Sequence, residues 1–191
     1  MKRTFCLALL VLFAFSQEKS TAFYGGVNLN SLTADGFSGD MSVGFNFGIR
    51  YSKYEESGFA FTASFDQKGW AESASEGGIT ATATTTVSYL TLSPQFASTS
   101  ANGMYFFIGP NLSIKLSASV KVEALGASAS QDVSDAFKSI RIGAVGGLGF
   151  RNERVIFTVG YDLGLSDVAD TGGAEFTSKL SSIQASIGIF L

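Results

Sequence analysis

The sequence predicts an all-β fold, an eight-stranded antiparallel up-and-down transmembrane β-barrel. Three observations carry the prediction. Apolar and polar residues alternate with a period of two through most of the chain, which puts one set of side chains on each face of a strand. The connections between these segments alternate between long and short. Charged residues make up only 15 % of the chain, glycine (22) and phenylalanine (18) are abundant, and proline (2) is scarce. Past the N-terminus no run reaches the roughly 18 apolar residues of a membrane helix.

Eight segments alternate. The first runs over about 23–32. The second, 41–54, sets Met41, Val43, Phe45, Phe47, Ile49 and Tyr51 on one face. The third, 58–68, sets Phe59, Phe61, Ala63 and Phe65 against Thr62, Ser64, Asp66 and Lys68. The fourth, 79–96, opens as an alanine/threonine repeat. The fifth, 104–122, reads MYFFIGPNLSIKLSASVKV, with every even position apolar or proline. It is far longer than an average strand of about 5–6 residues. The sixth, seventh and eighth are 138–151, 154–166 and 179–191. The connections TADGFSGD, GWAESASEGG, EALGASASQDVSDAF and DVADTGGAEFTS read as long, and EES, STSANG and NE as short. Short turns on one side and long loops on the other are the habit of outer-membrane barrels.

Residues 1–16 predict a secretory signal peptide. Lys2 and Arg3 precede an apolar run, and Ala14-Phe15-Ser16 fits a small-residue cleavage site. A second possible cut follows Ala22, which leaves a barrel domain of 23–191. The only cysteine, Cys6, lies in this leader, so the mature chain has neither disulfide nor cysteine nucleophile. Cleavage removes two basic residues and no acidic one, so the mature chain is more acidic than the −3 of the whole. With no basic stripe, nucleic acid is not an expected partner.

The polar face is built of glycine, serine, threonine and alanine with few charges. A soluble protein's outside normally carries more lysine and glutamate. The apolar face is therefore expected to meet lipid, and the small polar residues to fill a narrow eight-stranded lumen. Charges on that face would need compensation inside. Arg50, Asp66, Lys68, Lys115, Arg141 and Asp162 are the expected lumen charge cluster. Pairing across the NE turn sets 143 opposite 162 and makes Arg141 and Asp162 diagonal partners. Pro94 and Pro110 are expected nearly opposite each other, at a non-hydrogen-bonded pair position or beside a bulge. Tyr51, Tyr54, Phe59, Phe96, Tyr105, Phe106, Phe150 and Phe190 read as an aromatic girdle at the short-turn end. Trp70, Tyr89 and Phe137 read as a second girdle at the loop end.

The long connections gather Asp35, Asp40, Glu72, Glu76, Glu123, Asp132, Asp135, Asp167, Asp170 and Glu175, so one end of the molecule reads as acidic. No loop has the spacing of a calcium-binding loop. No metal and no cofactor is expected. The chain has no histidine, so the abundant serines lack the usual base. A catalytic role is not expected.

The segments GGVNLNSL, SFDQKGW, VSYLTLSP, YFFIGPNLSIKLSA, IGAVGGLGF and GYDLGLSDV, in that order, resemble the small outer-membrane β-barrel domain family that includes PorT-like and OmpX-like proteins. The resemblance covers about 23–191. It implies an eight-stranded barrel in a Gram-negative outer membrane and no shared catalytic residues. Such barrels often end in an aromatic residue used as an assembly signal, whereas here Phe190 is penultimate and Leu191 last. Expected partners are outer-membrane lipids and, during biogenesis, the barrel assembly machinery; the chain is expected to be a monomer with an unidentified extracellular partner. The leading expectation is a non-enzymatic integral barrel with a structural or surface-interaction role through acidic outer loops. Alternatives are a small pore, a component of protein secretion (implied by the resemblance alone), and a soluble lipocalin-like ligand-binding barrel.

Overall fold

Period-two alternation becomes strands wherever one face can be buried. The computed structural model describes residues 21–35, 37–52, 57–125, 127–170 and 177–191. The strands are β1 (Thr21–Ala34), β2 (Phe37–Ser38), β3 (Ser42–Ser52), β4 (Ser57–Glu76), β5 (Ile79–Thr99), β6 (Met104–Ala124), β7 (Ala127–Asp132), β8 (Ile140–Arg151), β9 (Val155–Gly164) and β10 (Ser178–Phe190). Neighbours run antiparallel in the order β10-β9-β8-β6-β5-β4-β3-β1, and β10 pairs with β1 to close the ring. Eight strands thus form the barrel; β2 folds back on β1 and β7 on β6. The expected leader, 1–16, lies outside the described residues. Thr21 and Ala22 are paired within β1, so a cut after Ala22 would remove two residues of that strand.

The apolar face points out. Val43 is 73 % exposed and Phe59 78 %, and Phe47, Ile108, Ile142, Phe157 and Ile187 share that wall. Phe45, Phe47 and Phe65 stack on it at centroid distances of 5.1–6.3 Å. The polar side chains Asn28, Asn46, Arg50, Asp66, Lys68, Arg141 and Asp162 are buried inside. This inverts a soluble barrel, and closure satisfies the backbone that such a wall would expose to lipid. No helix among the described residues is long and apolar enough to cross a membrane.

Four strands, β1, β4, β5 and β6, outrun the segments expected from the sequence. β4 continues to Glu76, so most of GWAESASEGG is strand. Gly77 and Gly78, both at positive φ (58° and 83°), turn the chain between Glu76 and Ile79. Such a two-residue turn needs positive φ at both positions. EALGASASQDVSDAF is likewise mostly paired: β6 folds back into β7 with Ala124 opposite Ala127, and Leu125 takes a φ of 52°. The two hairpins make a four-stranded sheet, β4-β5-β6-β7, that extends beyond the barrel. The loop end is therefore not purely acidic, since Lys121 on this sheet pairs with Glu123 at 2.8 Å.

One irregularity sets the faces of β6. Ser88 faces Ser117 but Tyr89 faces Lys115, so Leu116 is an extra, bulged residue. Before it the even positions point outward. After it Ala118 is buried and Ser119, Lys121 and Glu123 take the outer side. The bulge reverses the parity that the unbroken alternation predicts.

The prolines also differ from expectation. The β5–β6 register does bring Pro94 opposite Pro110, but ladder partners stop at Leu92↔Leu112 and resume at Phe96↔Ile108. At a non-hydrogen-bonded site the flanking pairs would survive. Their loss places both prolines at a hydrogen-bonded site, where neither has an N–H to give. Ser93 Oγ instead donates to the Pro110 carbonyl at 2.9 Å.

Candidate functional site

The lumen is layered. At the short-turn end Ala22, Ala60, Ala97, Tyr105, Phe107, Val145, Ile156 and Phe190 form one apolar cluster. At the other end Leu32, Trp70, Val87, Tyr89, Ala118, Phe137, Val168 and Leu180 form a second. The charged and amide side chains lie between them. Trp70, Tyr89 and Phe137 therefore point inward and plug the mouth, with the Trp70 and Phe137 rings 5.9 Å apart, and do not form the expected second girdle. Tyr105 and Phe190 leave the first girdle for the interior, while Phe59, Phe96, Phe106 and Phe150 stay exposed on the wall. Tyr54 lies outside the described residues.

Five of the six expected lumen charges are buried between the plugs. Asp162, on β9, is shared: Arg141 Nη2 reaches its Oδ1 at 2.7 Å, and Lys68 Nζ donates to its Oδ2. All three residues are 1 % exposed. Arg141 also donates from Nη2 to the Leu180 carbonyl at 2.7 Å, and Lys68 to Ser182 Oγ at 3.2 Å. The expected Arg141–Asp162 pair exists, but by a different register. Asp162 faces Val145 rather than Gly143, because the turn takes in Asn152, Glu153 and Arg154. Asn152 Oδ1 accepts the Arg154 and Val155 amides at 2.8 and 2.7 Å and fixes that turn. The arginine's length covers the extra distance along the strand.

Arg50 belongs to a lower layer. It donates to Tyr105 Oη and Gln95 Oε1, each at 2.8 Å, and lies over the Phe107 ring at 4.9 Å. Asp66 accepts from Ser64 Oγ at 2.8 Å. Lys115 is not in the cluster. Its ammonium donates to the Ser134 carbonyl at 2.5 Å and to the Phe137 carbonyl, and so ties the short 3₁₀ turn Ser134–Ala136 over the mouth. It sits beside the bulge, where the inner face of β6 has already reached the rim.

Between the layers is a polar cavity of about 50 Å³, lined by Tyr24, Arg50, Asp66, Asn111, Asp162 and Gln184 among others. That holds a few waters and nothing larger. Arg50 Nε and Asn111 Oδ1 are buried without a protein partner, as hydrated groups would be. An asparagine ladder, in which Asn46 Nδ2 donates to Asn28 Oδ1 at 2.5 Å and Ser186 Oγ donates to Asn46 Oδ1 at 3.0 Å, completes the filling. Gln95 and the lumen asparagines were not singled out from the sequence, and Tyr105 was read as a girdle residue, although each shares the parity of its strand's polar face.

Outside the mouth Asp132 anchors the start of the 3₁₀ turn, accepting the Ser134 amide at 2.8 Å. The hydrogen bonds from Ser134 hold its carboxyl below the usual carboxylate range.

Comparison with known proteins agrees with this architecture. No curated protein matches. Among solved structures, Neisserial surface protein A (NspA) aligns at TM-score 0.56 and 12 % identity, over 90 % of this chain and 97 % of that one. Ail, the attachment invasion locus protein of Yersinia pestis, solved in complex with the heparin analogue sucrose octasulfate, aligns at TM-score 0.51 and 17 % identity, over 90 % and 98 %. These likenesses show the fold. A family model, the outer membrane protein beta-barrel domain, matches residues 15–170. The inverted barrel, its filled lumen and that match lead to one identification: the chain belongs to the outer membrane protein beta-barrel domain family and resides in the outer membrane.

Proposed function

We propose that this protein is a non-enzymatic barrel with a closed lumen that works at the cell surface through the sheet it holds above the membrane. The observation that carries the reading is the length of β4, β5 and β6, which continue past the lipid-facing wall as paired strands. From Gln67 to Glu76 alone the sheet extends roughly 30 Å along the strand. Ordering so much exposed chain costs backbone entropy at every residue, which a mere membrane staple would not need.

Two observations weigh against the alternatives. The lumen carries an apolar plug at each end and a salt-bridged layer between, which disfavours a pore. Ail was solved with a sulfated sugar analogue, but here Glu72, Glu123, Asp132 and Asp135 crowd the projecting end and Lys121 is engaged by Glu123. A polyanionic ligand is disfavoured by like charge.

The test is complementation. A chain with 73–82 and 120–129 replaced by tight turns keeps the barrel and its Trp70 plug and loses the sheet. If the sheet is the working part, this chain folds, shown by a heat-modifiable gel shift, yet fails to reverse the phenotype of a deletion strain. Full complementation by the trimmed chain would reduce the protein to an envelope support and overturn the proposal.

A further inference from the structure

The outer faces of β4, β5 and β6 change chemistry at one level. Below it they carry Phe59, Phe61 and Phe65, then Phe96, Leu92 and Leu90, then Phe106, Ile108, Leu112 and Ile114. Above it they carry Gln67, Ser73 and Ser75, then Ser88, Thr86, Thr84, Thr82 and Thr80, then Ser117, Ser119, Lys121 and Glu123. The level is shared across the sheet: Phe65 faces Leu90, which faces Ile114, and one step up Gln67 faces Ser88, which faces Ser117. The same change occurs on β1 and β10, where Leu29 faces Ile183 and Ser31 faces Ser181. From Met104 to Ile114 the apolar part of β6 matches the roughly 9–11 residues of a tilted membrane strand. The step is therefore the edge of the hydrocarbon.

The bulge at Leu116 lies at this step. Without it Ala118, Val120 and Val122 would continue the outer face. With it they turn inward, and Ser119, Lys121 and Glu123 face out beside Thr82 to Thr86 and, on β7, Ser128 and Ser130. The inner face carries Ala74, Ala81, Ala124 and Ala127, with Ala83 and Ala129, beside Glu72, Val120 and Val122. The hydroxyl face is ordered by its own bonds, Ser73 to Thr82 at 3.1 Å and Ser75 to Thr80 at 2.8 Å.

We infer that this hydroxyl face is an interaction surface for the saccharide layer of a glycolipid outer leaflet. It is continuous with the lipid-facing wall, so it rises directly from the acyl chains into whatever the headgroups carry. Short hydroxyl side chains offer both donors and acceptors, as sugar hydroxyls require. They also leave a flat surface that a carbohydrate chain can lie along. Lys121 and Glu123 compensate each other and leave the middle of the face without net charge. The alanine face, turned away from the leaflet, stays free for a second contact. The inference deepens the proposal that the sheet is the working part, and rests on it.

Paired cysteine variants on adjacent residues test it. In the Cys6→Ser background, Ser73→Cys labels the hydroxyl face and Ala74→Cys the alanine face, and both positions are exposed. Each variant goes into nanodiscs of phosphatidylcholine with phosphatidylglycerol, of the same lipids with lipid A, or of the same lipids with a rough lipopolysaccharide that carries core sugars. A heat-modifiable gel shift verifies folding, and thiol-labelling rates are compared. The expected result is labelling at 73 slowed about tenfold by core sugars alone, as a contact occupied roughly nine-tenths of the time would give, with 74 unchanged. Equal slowing at both positions, or none, overturns the inference. Slowing at 73 by lipid A as strongly as by core sugars also overturns it, because the contact is then with the phosphorylated headgroup. Ser128→Cys and Ala129→Cys repeat the comparison on β7, where both are again exposed. Either failure leaves the complementation test to decide the role of the sheet by itself.

Discussion

At the scale of single residues the lumen is held by one carboxylate between two cations. Asp162 is buried, so its removal leaves Lys68 and Arg141 facing each other uncompensated. Breaking a buried ion pair from one side typically costs about 3–5 kcal/mol. Asp162→Ala is expected to lower the stability of the refolded barrel by that order, read from urea unfolding in detergent. The triple variant Lys68→Met, Arg141→Met, Asp162→Ala recovers most of the loss if charge is the cause, and recovers none of it if the cause is the cavity. Asp132 gives a pH-dependent counterpart outside the membrane. Its folded pKa is depressed by the Ser134 hydrogen bonds, so the stability it lends the 3₁₀ turn is fully present above the ordinary carboxylate value, near pH 4. That stability is lost as pH falls through the depressed value. Amide exchange at Ser134 is expected to speed up, beyond its intrinsic pH dependence, over that acidic range. Asp132→Asn should abolish the acid-induced change. The Arg141–Asp162 pair was legible because both residues share the parity of the polar face. Lys115 was not, because its partners are backbone carbonyls in a turn that no periodicity marks.

At the scale of elements the strands were legible and their ends were not. GWAESASEGG and the first half of EALGASASQDVSDAF read as loops because their hydropathy drops. The drop marks the edge of the membrane, and the pairing continues through it. The Gly77-Gly78 dipeptide was the available sign of a tight hairpin. The bulge left none, since the apolar alternation runs unbroken through Leu116. The aromatics teach a different lesson. Trp70, Tyr89 and Tyr105 have the parity of Lys68, Thr91 and Asn111 on their own strands, which places them inside. Reading them as girdle residues let residue type override position. Leu125 supplies a prediction at this scale. It holds a φ of 52° at the tip of the β6–β7 hairpin, a conformation that costs an L-residue with a Cβ roughly 1–2 kcal/mol. Leu125→Gly is expected to slow amide exchange across Ala127–Asp132 by a factor matching that gain, with no change in the barrel strands.

At the scale of the whole molecule the chain is a filled cylinder with a sheet standing on one rim. Apolar clusters close both ends of the lumen and a charged layer fills the middle, so the barrel's polar residues serve its packing. What distinguishes this chain from a bare membrane anchor is the continuation of β4 to β7 past the lipid edge. The account turns on the inside-out assignment, the apolar wall to lipid and the polar face within. The most direct test uses tryptophan fluorescence. The chain has one tryptophan, so Trp70→Phe gives a silent background into which Val159→Trp places a single reporter near the middle of the lipid-facing stretch of β9. In vesicles whose acyl chains carry bromine near their midpoint, this reporter is predicted to be strongly quenched and to resist aqueous iodide. Quenching by iodide and indifference to the brominated chains would contradict the account, for the wall would then face water and the barrel would not cross a membrane.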